Sequence, residues 1–170
     1  LMEAGLLGNK KTLENKVVIL TGASSGLGLS ICDFLVNKNM KLAVCARHVS
    51  NLKKRYRNYK NILIKRIDVS KQSQIISFIK QTKKRFKNID FLINNAGALL
   101  SDKIENLKLE DLKYSFEVNL FAPTLFIKLV SKEMKKNNFG RIINISSGGS
   151  VNCVESYFSY SSTKAAINTL

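Results

Sequence analysis

Short apolar runs separated by longer amphipathic stretches make up most of this sequence. Five of the runs are rich in β-branched residues and predict strands: KVVIL, KLAVCA, NILIKRIDV, IDFLIN and GRIINIS. Runs that are apolar throughout, rather than alternating, are typical of strands buried on both faces of a sheet. Helical connections between such strands imply parallel pairing with right-handed crossovers. The sequence therefore predicts an α/β fold, a doubly wound parallel sheet in a single domain over residues 1–170.

The stretches between the runs carry the period of a helix. They predict helices at 27–38, 72–86 and 109–136, and a last helix that starts at Tyr157 and meets no stop signal before Leu170. A doubly wound sheet binds its ligand in the crevice outside the carboxyl ends of its strands. Residues that carry chemistry are therefore expected where the strands end.

The composition is that of a globular protein. The 170 residues are 45% apolar, which is enough for one domain with a core. No apolar run approaches the roughly 18–20 residues of a membrane span, and the apolar part of the opening LMEAGLLGNKK is too short for a signal peptide. We therefore expect a cytoplasmic protein with no membrane span.

The cysteines and the single histidine form no metal-binding pattern. Cys32 and Cys45 fall in apolar segments and are interpreted as buried thiols in a reducing compartment. Cys153 is expected in a loop and His48 in an exposed loop. No metal site is predicted.

A formal net charge of +16 raises nucleic acid as a partner. Eight Lys or Arg and no acid lie between Arg47 and Arg66. The lysines are nevertheless spread over many predicted elements, and Lys80, Lys84 and Lys87 follow the polar face of an amphipathic helix. We therefore expect no nucleic-acid partner and keep that function as a minor alternative.

A glycine-rich turn, TGASSGLG, follows the first predicted strand and contains Gly22, Gly26 and Gly28. Glycines let a backbone turn sharply and approach a ligand closely. The free N–H groups and the dipole of the helix that starts there attract a phosphate. In this strand, turn and helix context the motif predicts a nucleotide-phosphate site, and a tight turn without a ligand is the alternative.

The glycine spacing resembles the T-G-x-x-x-G-x-G motif of the short-chain dehydrogenase/reductase family. The family's N-N-A-G is matched at 94–97, and its Asp-Val pair, which contacts adenine, is matched by Asp68 and Val69. The resemblance implies a Rossmann-type fold that binds a nicotinamide dinucleotide. The implied cofactor-binding residues are Thr21, Gly22, Ser24, Ser25, Gly26, Leu27, Gly28, Arg47, Asp68, Val69, Asn95, Ala96, Gly97, Tyr160 and Lys164.

Tyr160 and Lys164 lie one helical turn apart on one face of the last predicted helix. Carbonyl reduction by hydride transfer needs a proton donor at the oxygen, and the reverse reaction needs a base at the alcohol. A free tyrosine has a pKa of about 10, too high for a base at neutral pH. A lysine ammonium one turn away stabilises a phenolate, so the spacing suits proton transfer.

The same resemblance implies the catalytic roles. YSSTK matches the family's Y-x-x-x-K, and Ser147 lies thirteen residues before Tyr160, which is the family's usual spacing. Tyr160 would be the general acid/base, Lys164 would also hold the nicotinamide ribose, and Ser147 would hydrogen-bond the substrate oxygen. Asn119 in EVNL matches the family's catalytic asparagine.

The end of the second predicted strand, VCAR, bears on the choice of cofactor. In dinucleotide folds an acid there hydrogen-bonds the ribose 2′-hydroxyl, whereas an arginine nearby favours a 2′-phosphate. Ala46 stands where an NAD-preferring member would carry Asp, and Arg47 follows it. We therefore predict NADP(H) over NAD(H), with a solvated loop arginine as the alternative interpretation.

Pro123 is the only proline, and it lies inside the predicted helix 109–136. It has no N–H for the carbonyl four residues back, which belongs to Asn119. The hypothesis is that Pro123 bends the helix and frees this carbonyl to hold a water that passes protons from Lys164 to solvent. An asparagine that caps an irregular turn is the alternative.

The sequence also leads us to expect a fragment. It begins Leu1, Met2 and ends inside the last predicted helix, whereas the family's fold continues with two strands and a substrate lid. The loop GGSVNCVESYF is expected to form one wall of the substrate pocket. Because family members commonly pair through the helices that carry Asn119 and Tyr160, a homo-oligomer is expected at full length.

The leading interpretation is an NADP(H)-dependent oxidoreductase that interconverts a ketone or aldehyde and an alcohol, with a small-molecule carbonyl or alcohol as its partner. A sugar-nucleotide epimerase or dehydratase of the extended relatives is one alternative, although these usually carry G-x-x-G-x-x-G. A non-catalytic binding protein on the same fold is another. The presence of Ser147, Tyr160 and Lys164 together argues against it.

Overall fold

The fold is built on a sheet of parallel strands. The computed structural model describes residues 13–101 and 103–170. Within these residues the strands are β1 (Val17–Thr21), β2 (Lys41–Ala46), β3 (Ile62–Arg66), β4 (Phe91–Asn94) and β5 (Arg141–Asn144). Their order across the sheet is β3-β2-β1-β4-β5, and every pairing is parallel. The predicted parallel α/β sheet is confirmed.

Helices connect these strands and cover the sheet. They are α1 (Gly26–Asn37), α2 (Ser50–Arg55), α3 (Gln72–Phe86), α4 (Leu109–Phe116), α5 (Ala122–Lys136) and α6 (Phe158–Ile167). A π-helical stretch, Glu117–Phe121, joins α4 to α5. Short 3₁₀ turns lie at Ile104–Asn106 and Gly148–Ser150.

The centre of the sheet is buried on both faces. Every residue of β1 is buried, and neighbouring residues point to opposite faces. Leu20 packs in a cluster with α1 and α2, whereas Ile19 packs in a second cluster with α3 and α5. In that second layer Phe78 and Phe126 meet edge to face, with ring centres 6.4 Å apart. These two apolar layers fix the strands whose ends carry the predicted site residues.

The strand order creates a crevice beside β1. The chain builds β1, β2 and β3 in one direction across the sheet and then places β4 and β5 on the other side of β1. Leu20 of β1 lies opposite Ile93 of β4. The segments that follow Thr21 and Asn94 therefore leave the sheet side by side at the point where the strand order reverses, which is where doubly wound sheets bind ligands.

Two strands differ from the prediction. The run NILIKRIDV forms a strand only at Ile62–Arg66, because Asp68 already turns away at the crevice. β5 is not buried on both faces, since Ile142 and Ile143 are 37% and 48% exposed. The reason is position, because β5 lies at the edge of the sheet and pairs only with β4 among the described residues.

The helices differ in three places. The predicted helix 109–136 is interrupted by the π-helical stretch Glu117–Phe121. The short helix α2 was not predicted, because six residues are too few to display a helical period. The last helix ends at Ile167, where the Leu170 N–H donates to the Ile167 carbonyl in a tighter turn, so the prediction that it continues to Leu170 is wrong.

Among the described residues, no helix combines the length and the apolarity needed to cross a bilayer. The opening segment LMEAGLLGNKK, which is interpreted as too short in its apolar part for a signal peptide, lies outside the described residues.

Candidate active site

The glycine-rich turn after β1 allows two segments to touch. A Cβ at Gly22 would lie 2.8 Å from the Ala96 Cα, and a Cβ at Gly28 would lie 2.2 Å from the Gly22 carbonyl oxygen. Gly22 also has a φ of +67°. A side chain at either position would push the turn away from the loop after β4. The turn therefore needs glycine at both positions.

The amino end of α1 forms one wall of a cleft, to which Ser24, Ser25 and Leu27 contribute. The Ser25 side chain makes no capping hydrogen bond, and the first turn carries no acid. The N–H groups of this turn and the helix dipole are therefore available to an anion. The donor chemistry fits the pyrophosphate of a dinucleotide.

Asn95 fastens the loop after β4 to the glycine turn. Its Nδ2 donates to the carbonyls of Thr21 and Gly22, both at 3.0 Å. In return, the Thr21 hydroxyl accepts the backbone N–H groups of Asn95 and Ala96, both at 3.0 Å. Thr21 is buried behind the cleft, so it braces the turn.

The cleft has a volume of about 340 Å³. It brings together residues from the ends of four strands and from α4. The predicted cofactor-binding residues in its lining are Gly22, Ser24, Ser25, Leu27, Gly28, Arg47, Asp68, Val69, Asn95, Ala96 and Gly97. Ala46, on which the predicted choice of cofactor rests, also lines it. So do four residues that the sequence did not single out as cofactor-binding: His48, Ile67, Tyr114 and Val118.

Arg47 and Asp68 both line this cleft. The Arg47 Nη1 donates to the Tyr114 hydroxyl at 3.3 Å. The Asp68 carboxylate accepts the Ser70 N–H at 2.9 Å and the Ser70 hydroxyl at 2.8 Å. Burial raises the pKa of Asp68, but the bonds from Ser70 and the charges of Lys71 and Arg47 outweigh it and hold this pKa below its usual value. Asp68 is therefore a carboxylate at neutral pH.

The buried side chain of Asn119 hydrogen-bonds both the loop after β4 and α6. Its Oδ1 accepts the Ala98 N–H at 2.7 Å, and its Nδ2 donates to the Ala98 carbonyl at 2.9 Å and to the Thr163 hydroxyl at 3.0 Å. The residue lies in the π-helical stretch Glu117–Phe121, ahead of Pro123 in α5. Asn119 thus ties the loop after β4 to α6.

Lys164 is almost fully buried, with 4% of its surface exposed. Its Nζ donates to the Ile145 carbonyl at 2.6 Å and lies 5.6 Å from the centre of the Tyr160 ring. Burial lowers the pKa of the Lys164 ammonium. The side chain therefore places a poorly solvated positive charge beside the tyrosine.

Ser147 follows β5 and caps the short 3₁₀ turn Gly148–Ser150, where its Oγ accepts the Gly149 N–H at 3.2 Å. The turn packs on α6, since a Cβ at Gly149 would lie 3.2 Å from the Ser161 Oγ. Ser146 adds a bond from its hydroxyl to the Lys164 carbonyl at 3.3 Å. The end of β5 is therefore joined to the helix that carries Tyr160.

Gly97 marks where these parts meet. A Cβ at this position would lie 3.5 Å from the Asn119 Oδ1 and 3.9 Å from the Lys164 Nζ. Gly97 also lines the cleft. The glycine-turn end of the cleft therefore lies in one continuous region with Asn119 and Lys164, at the carboxyl ends of the strands.

The sequence did not single out Tyr114, Thr163 or Ala98 as site residues. Tyr114 had no local signal, because its partner Arg47 lies 67 residues away in the sequence. No local signal marked Ala98, because its role depends on Asn119, which is distant in sequence.

The cysteines lie as predicted. Cys32 and Cys45 are buried, and Cys153 is exposed. Burial raises the pKa of Cys32 to about 11 and of Cys45 to about 12, so both remain thiols at neutral pH. Within the described part of the chain, no group of three or more His, Cys, Asp or Glu side chains is arranged to hold a metal ion.

Comparisons with known proteins agree with this geometry. A family model described as short chain dehydrogenase matches residues 16–170. An uncharacterized oxidoreductase of Staphylococcus saprophyticus is 32% identical over 93% of this chain. An NAD-dependent glycerol dehydrogenase of Listeria innocua is 29% identical over 91% of it. A crystal structure of a short-chain dehydrogenase from Streptomyces avermitilis superposes with a TM-score of 0.87 at 28% identity over 92% of the chain.

The chain spans 70% of the staphylococcal oxidoreductase, 61% of the glycerol dehydrogenase and 58% of the Streptomyces chain. The family match covers both the glycine turn and the YSSTK helix. This chain therefore belongs to the short-chain dehydrogenase family, oxidoreductases that act on CH–OH groups.

Proposed function

We propose that this protein is an NADP(H)-dependent oxidoreductase that interconverts a ketone or aldehyde and the corresponding alcohol. The observation that carries the choice of cofactor is the end of β2, where Ala46 and then Arg47 line the cleft. An uncharged methyl group there leaves room for a 2′-phosphate, and the guanidinium attracts it. Asp68, the nearby acid, is turned toward Ser70 by two hydrogen bonds.

The residues present fit a dinucleotide. The glycine turn and the amino end of α1 would hold the pyrophosphate, Arg47 the 2′-phosphate, and Asp68 with Val69 the adenine. Tyr160 and Lys164 would hold the nicotinamide ribose. When bound, the nicotinamide supplies or accepts a hydride.

Tyr160 is the proposed general acid/base, giving its proton to the carbonyl oxygen during reduction and taking it back during oxidation. The support is the buried Lys164 ammonium, 5.6 Å from the Tyr160 ring centre. A charge with so little solvent around it acts more strongly on a phenolate than an exposed one.

Ser147 is the proposed anchor for the substrate oxygen. Its Oγ accepts the Gly149 N–H, and among the described residues it donates to no protein acceptor. Its proton is therefore available to a carbonyl oxygen beside Tyr160.

Asn119 has a proposed part in proton supply. Pro123 offers no N–H to the Asn119 carbonyl, and the helix is widened to the π form at this point. This carbonyl would hold a water that passes protons from Lys164 to solvent. The side-chain amide already makes three hydrogen bonds, to Ala98 and Thr163, so we assign the water to the backbone carbonyl.

The remaining proposals concern the whole protein. Its partner would be a small-molecule carbonyl or alcohol, with no nucleic acid. We propose a cytoplasmic homo-oligomer whose residues 1–170 form one nucleotide-binding unit. The exposed side chains of Cys153 and Val154 would offer apolar contact to the substrate.

The cofactor choice is tested by calorimetric titration of the full-length protein with NADPH and with NADH. Tighter binding of NADPH is expected, and Arg47→Asp is expected to reverse the preference. Arg57→Asp is the matched control, because it makes the same charge change at an exposed position away from the cleft. Equal binding of both cofactors by the unmodified protein would contradict the proposed preference for NADP(H).

The chemistry is tested with Tyr160→Phe. This change removes the proton donor and keeps the ring, so kcat is expected to fall about 100-fold or more. NADPH binding should weaken far less than turnover, because only one of the proposed contacts to the nicotinamide ribose is lost. Unchanged turnover would favour a different proton donor, and unchanged cellular function would favour the non-catalytic alternative.

A further inference from the structure

Arg47 and Tyr114 reach each other across one end of the cleft. Arg47 follows β2, whereas Tyr114 lies on α4, and 67 residues separate them in the sequence. The Arg47 Nη1 donates to the Tyr114 hydroxyl at 3.3 Å, and both side chains line the cleft. The contact therefore joins the two walls on the side where the ribose of the adenosine would lie.

Both groups keep hydrogen-bond donors for a ligand. A tyrosine hydroxyl has one proton to donate besides its acceptor sites, and a guanidinium has five N–H groups. The Tyr114 hydroxyl accepts from Arg47 and, among the described residues, donates to no protein acceptor. One Arg47 N–H is used in this contact, and the other N–H groups make no hydrogen bond to a described residue. An anion arriving between the two side chains would meet donors from both.

We propose that Tyr114 is a specificity-determining residue that forms, with Arg47, a two-residue clasp for the ribose 2′-phosphate of the cofactor. The inference rests on the proposed preference for NADP(H). Tyr114 holds the guanidinium at the cleft by accepting its N–H, and it donates its own proton to a phosphate oxygen. A ribose with a free 2′-hydroxyl offers no such charge to the clasp.

The hydrogen bond to Tyr114 matters because the Arg47 side chain also borders a second cavity. The exposed side chain also borders a neighbouring cavity of about 690 Å³, which Lys65 and Arg66 help to line. A long side chain that is free to sample both sides loses conformational entropy when a phosphate fixes it. The bond to Tyr114 orders Arg47 on the cofactor side before binding, which leaves less entropy to lose.

The alternative role for Tyr114 is that of an apolar wall. Its ring lies one helical turn before Val118, and both line the cleft. A wall would favour the adenosine moiety of either cofactor equally, and a phenylalanine would serve as well. Tyr114→Phe keeps the wall and removes the clasp, so it separates the two roles.

The test is calorimetric titration of the full-length protein and its Tyr114→Phe variant. The probes are NADPH, NADH, and the fragments 2′,5′-ADP and 5′-AMP, which differ in the 2′-phosphate. Loss of one hydrogen bond to a charged group is expected to weaken NADPH and 2′,5′-ADP about tenfold to 100-fold. NADH and 5′-AMP should change less than about twofold, because neither probe carries the phosphate that accepts this bond.

Tyr59→Phe is the control, because it removes a hydroxyl that bonds the Met40 carbonyl away from the cleft. It should leave the affinities for all four probes unchanged. Thermal unfolding checks that each variant is folded, and the fragment pair reads out the phosphate contact without any turnover.

The outcomes separate this inference from the proposed function. Equal binding of NADPH and NADH by the unmodified protein refutes the proposed cofactor preference and the clasp with it. If that preference is present, unchanged NADPH affinity in Tyr114→Phe overturns the clasp alone. An equal loss of affinity for NADPH and NADH in Tyr114→Phe also overturns the clasp, because it shows that Tyr114 contacts the part that both cofactors share.

Discussion

The side chain of Asn119 pairs with both backbone polar groups of Ala98. Its Oδ1 accepts the Ala98 N–H at 2.7 Å, and its Nδ2 donates to the Ala98 carbonyl at 2.9 Å. The amide thus pairs with Ala98 in the way that a peptide group of an adjacent strand would. These two hydrogen bonds fix the loop that follows the N-N-A-G motif. Since Gly97 precedes Ala98, this pairing also fixes the point where the cleft meets Lys164.

The first prediction concerns Asn119→Ala. The change leaves the Ala98 N–H and carbonyl without their buried partner and removes the bond to Thr163. A buried polar group that loses its partner costs about 1–3 kcal/mol, so the free energy of unfolding should fall by at least that amount. Urea unfolding measures it.

The matched control for this change is Asn58→Ala, because Asn58 is exposed. Its effect should stay within about 0.5 kcal/mol, as is usual for surface substitutions. If the two alanine variants were equally stable, the bonds between Asn119 and Ala98 would not hold the loop.

The second prediction uses the buried charge of Lys164. Burial puts its pKa in the folded protein below the ordinary value of 10.5. Between the lowered pKa and 10.5 the unfolded chain binds more protons than the folded one. The contribution of Lys164 to the free energy of unfolding therefore rises with pH across that window. Below the window Lys164 is charged in both states, so the cost of burying its charge opposes folding.

Lys164→Met removes this charge while keeping much of the side-chain volume. We expect a fall in kcat of about 100-fold or more, because the phenolate loses its stabilising cation. The unmodified protein should gain stability relative to the variant as the pH rises toward 10.5. Lys80→Met, at an exposed position of α3, should show neither effect. A stability difference independent of alkaline pH would mean that Lys164 titrates as an exposed lysine does.

The sheet and its crevice could be predicted because their signals are local. The apolar runs of β1 and β2 mark buried strands, and the glycine spacing after Thr21 marks a tight turn into a helix. Parallel pairing then follows from the helical connections. The same pattern overstated the burial of β5, because an apolar run does not reveal how fully neighbouring elements cover a strand.

The contacts of the site could be predicted less well, because they join residues far apart in sequence. Nothing near Tyr114 indicates that Arg47 will reach its hydroxyl, since the contact exists only once β2 and α4 flank one cleft. Pro123 did indicate an irregular helix at Asn119. The π form and the pairing with Ala98 depend on the loop after β4 and needed the structure.

The last prediction compares two glycines that differ in their surroundings. A Cβ at Gly28 would lie 2.2 Å from the Gly22 carbonyl oxygen, whereas nothing lies within 4 Å of a Cβ at Gly148. Gly28→Ala forces the turn away from α1 and should lower the free energy of unfolding by about 1–3 kcal/mol, as overpacking does. NADPH affinity should fall with it, because the phosphate cradle opens.

Gly148→Ala serves as the matched control for stability, and urea unfolding of both variants with NADPH titration gives the measurement. Neither glycine has a positive φ, so backbone strain does not separate them. Gly28 lies in α1, where alanine gains about 1 kcal/mol of helix propensity, so a net loss of stability at this position reports the steric contact. Equal stabilities would mean that the turn relaxes around a methyl group. The glycine at position 28 would then be required by the ligand and not by the close packing of α1 against the end of β1.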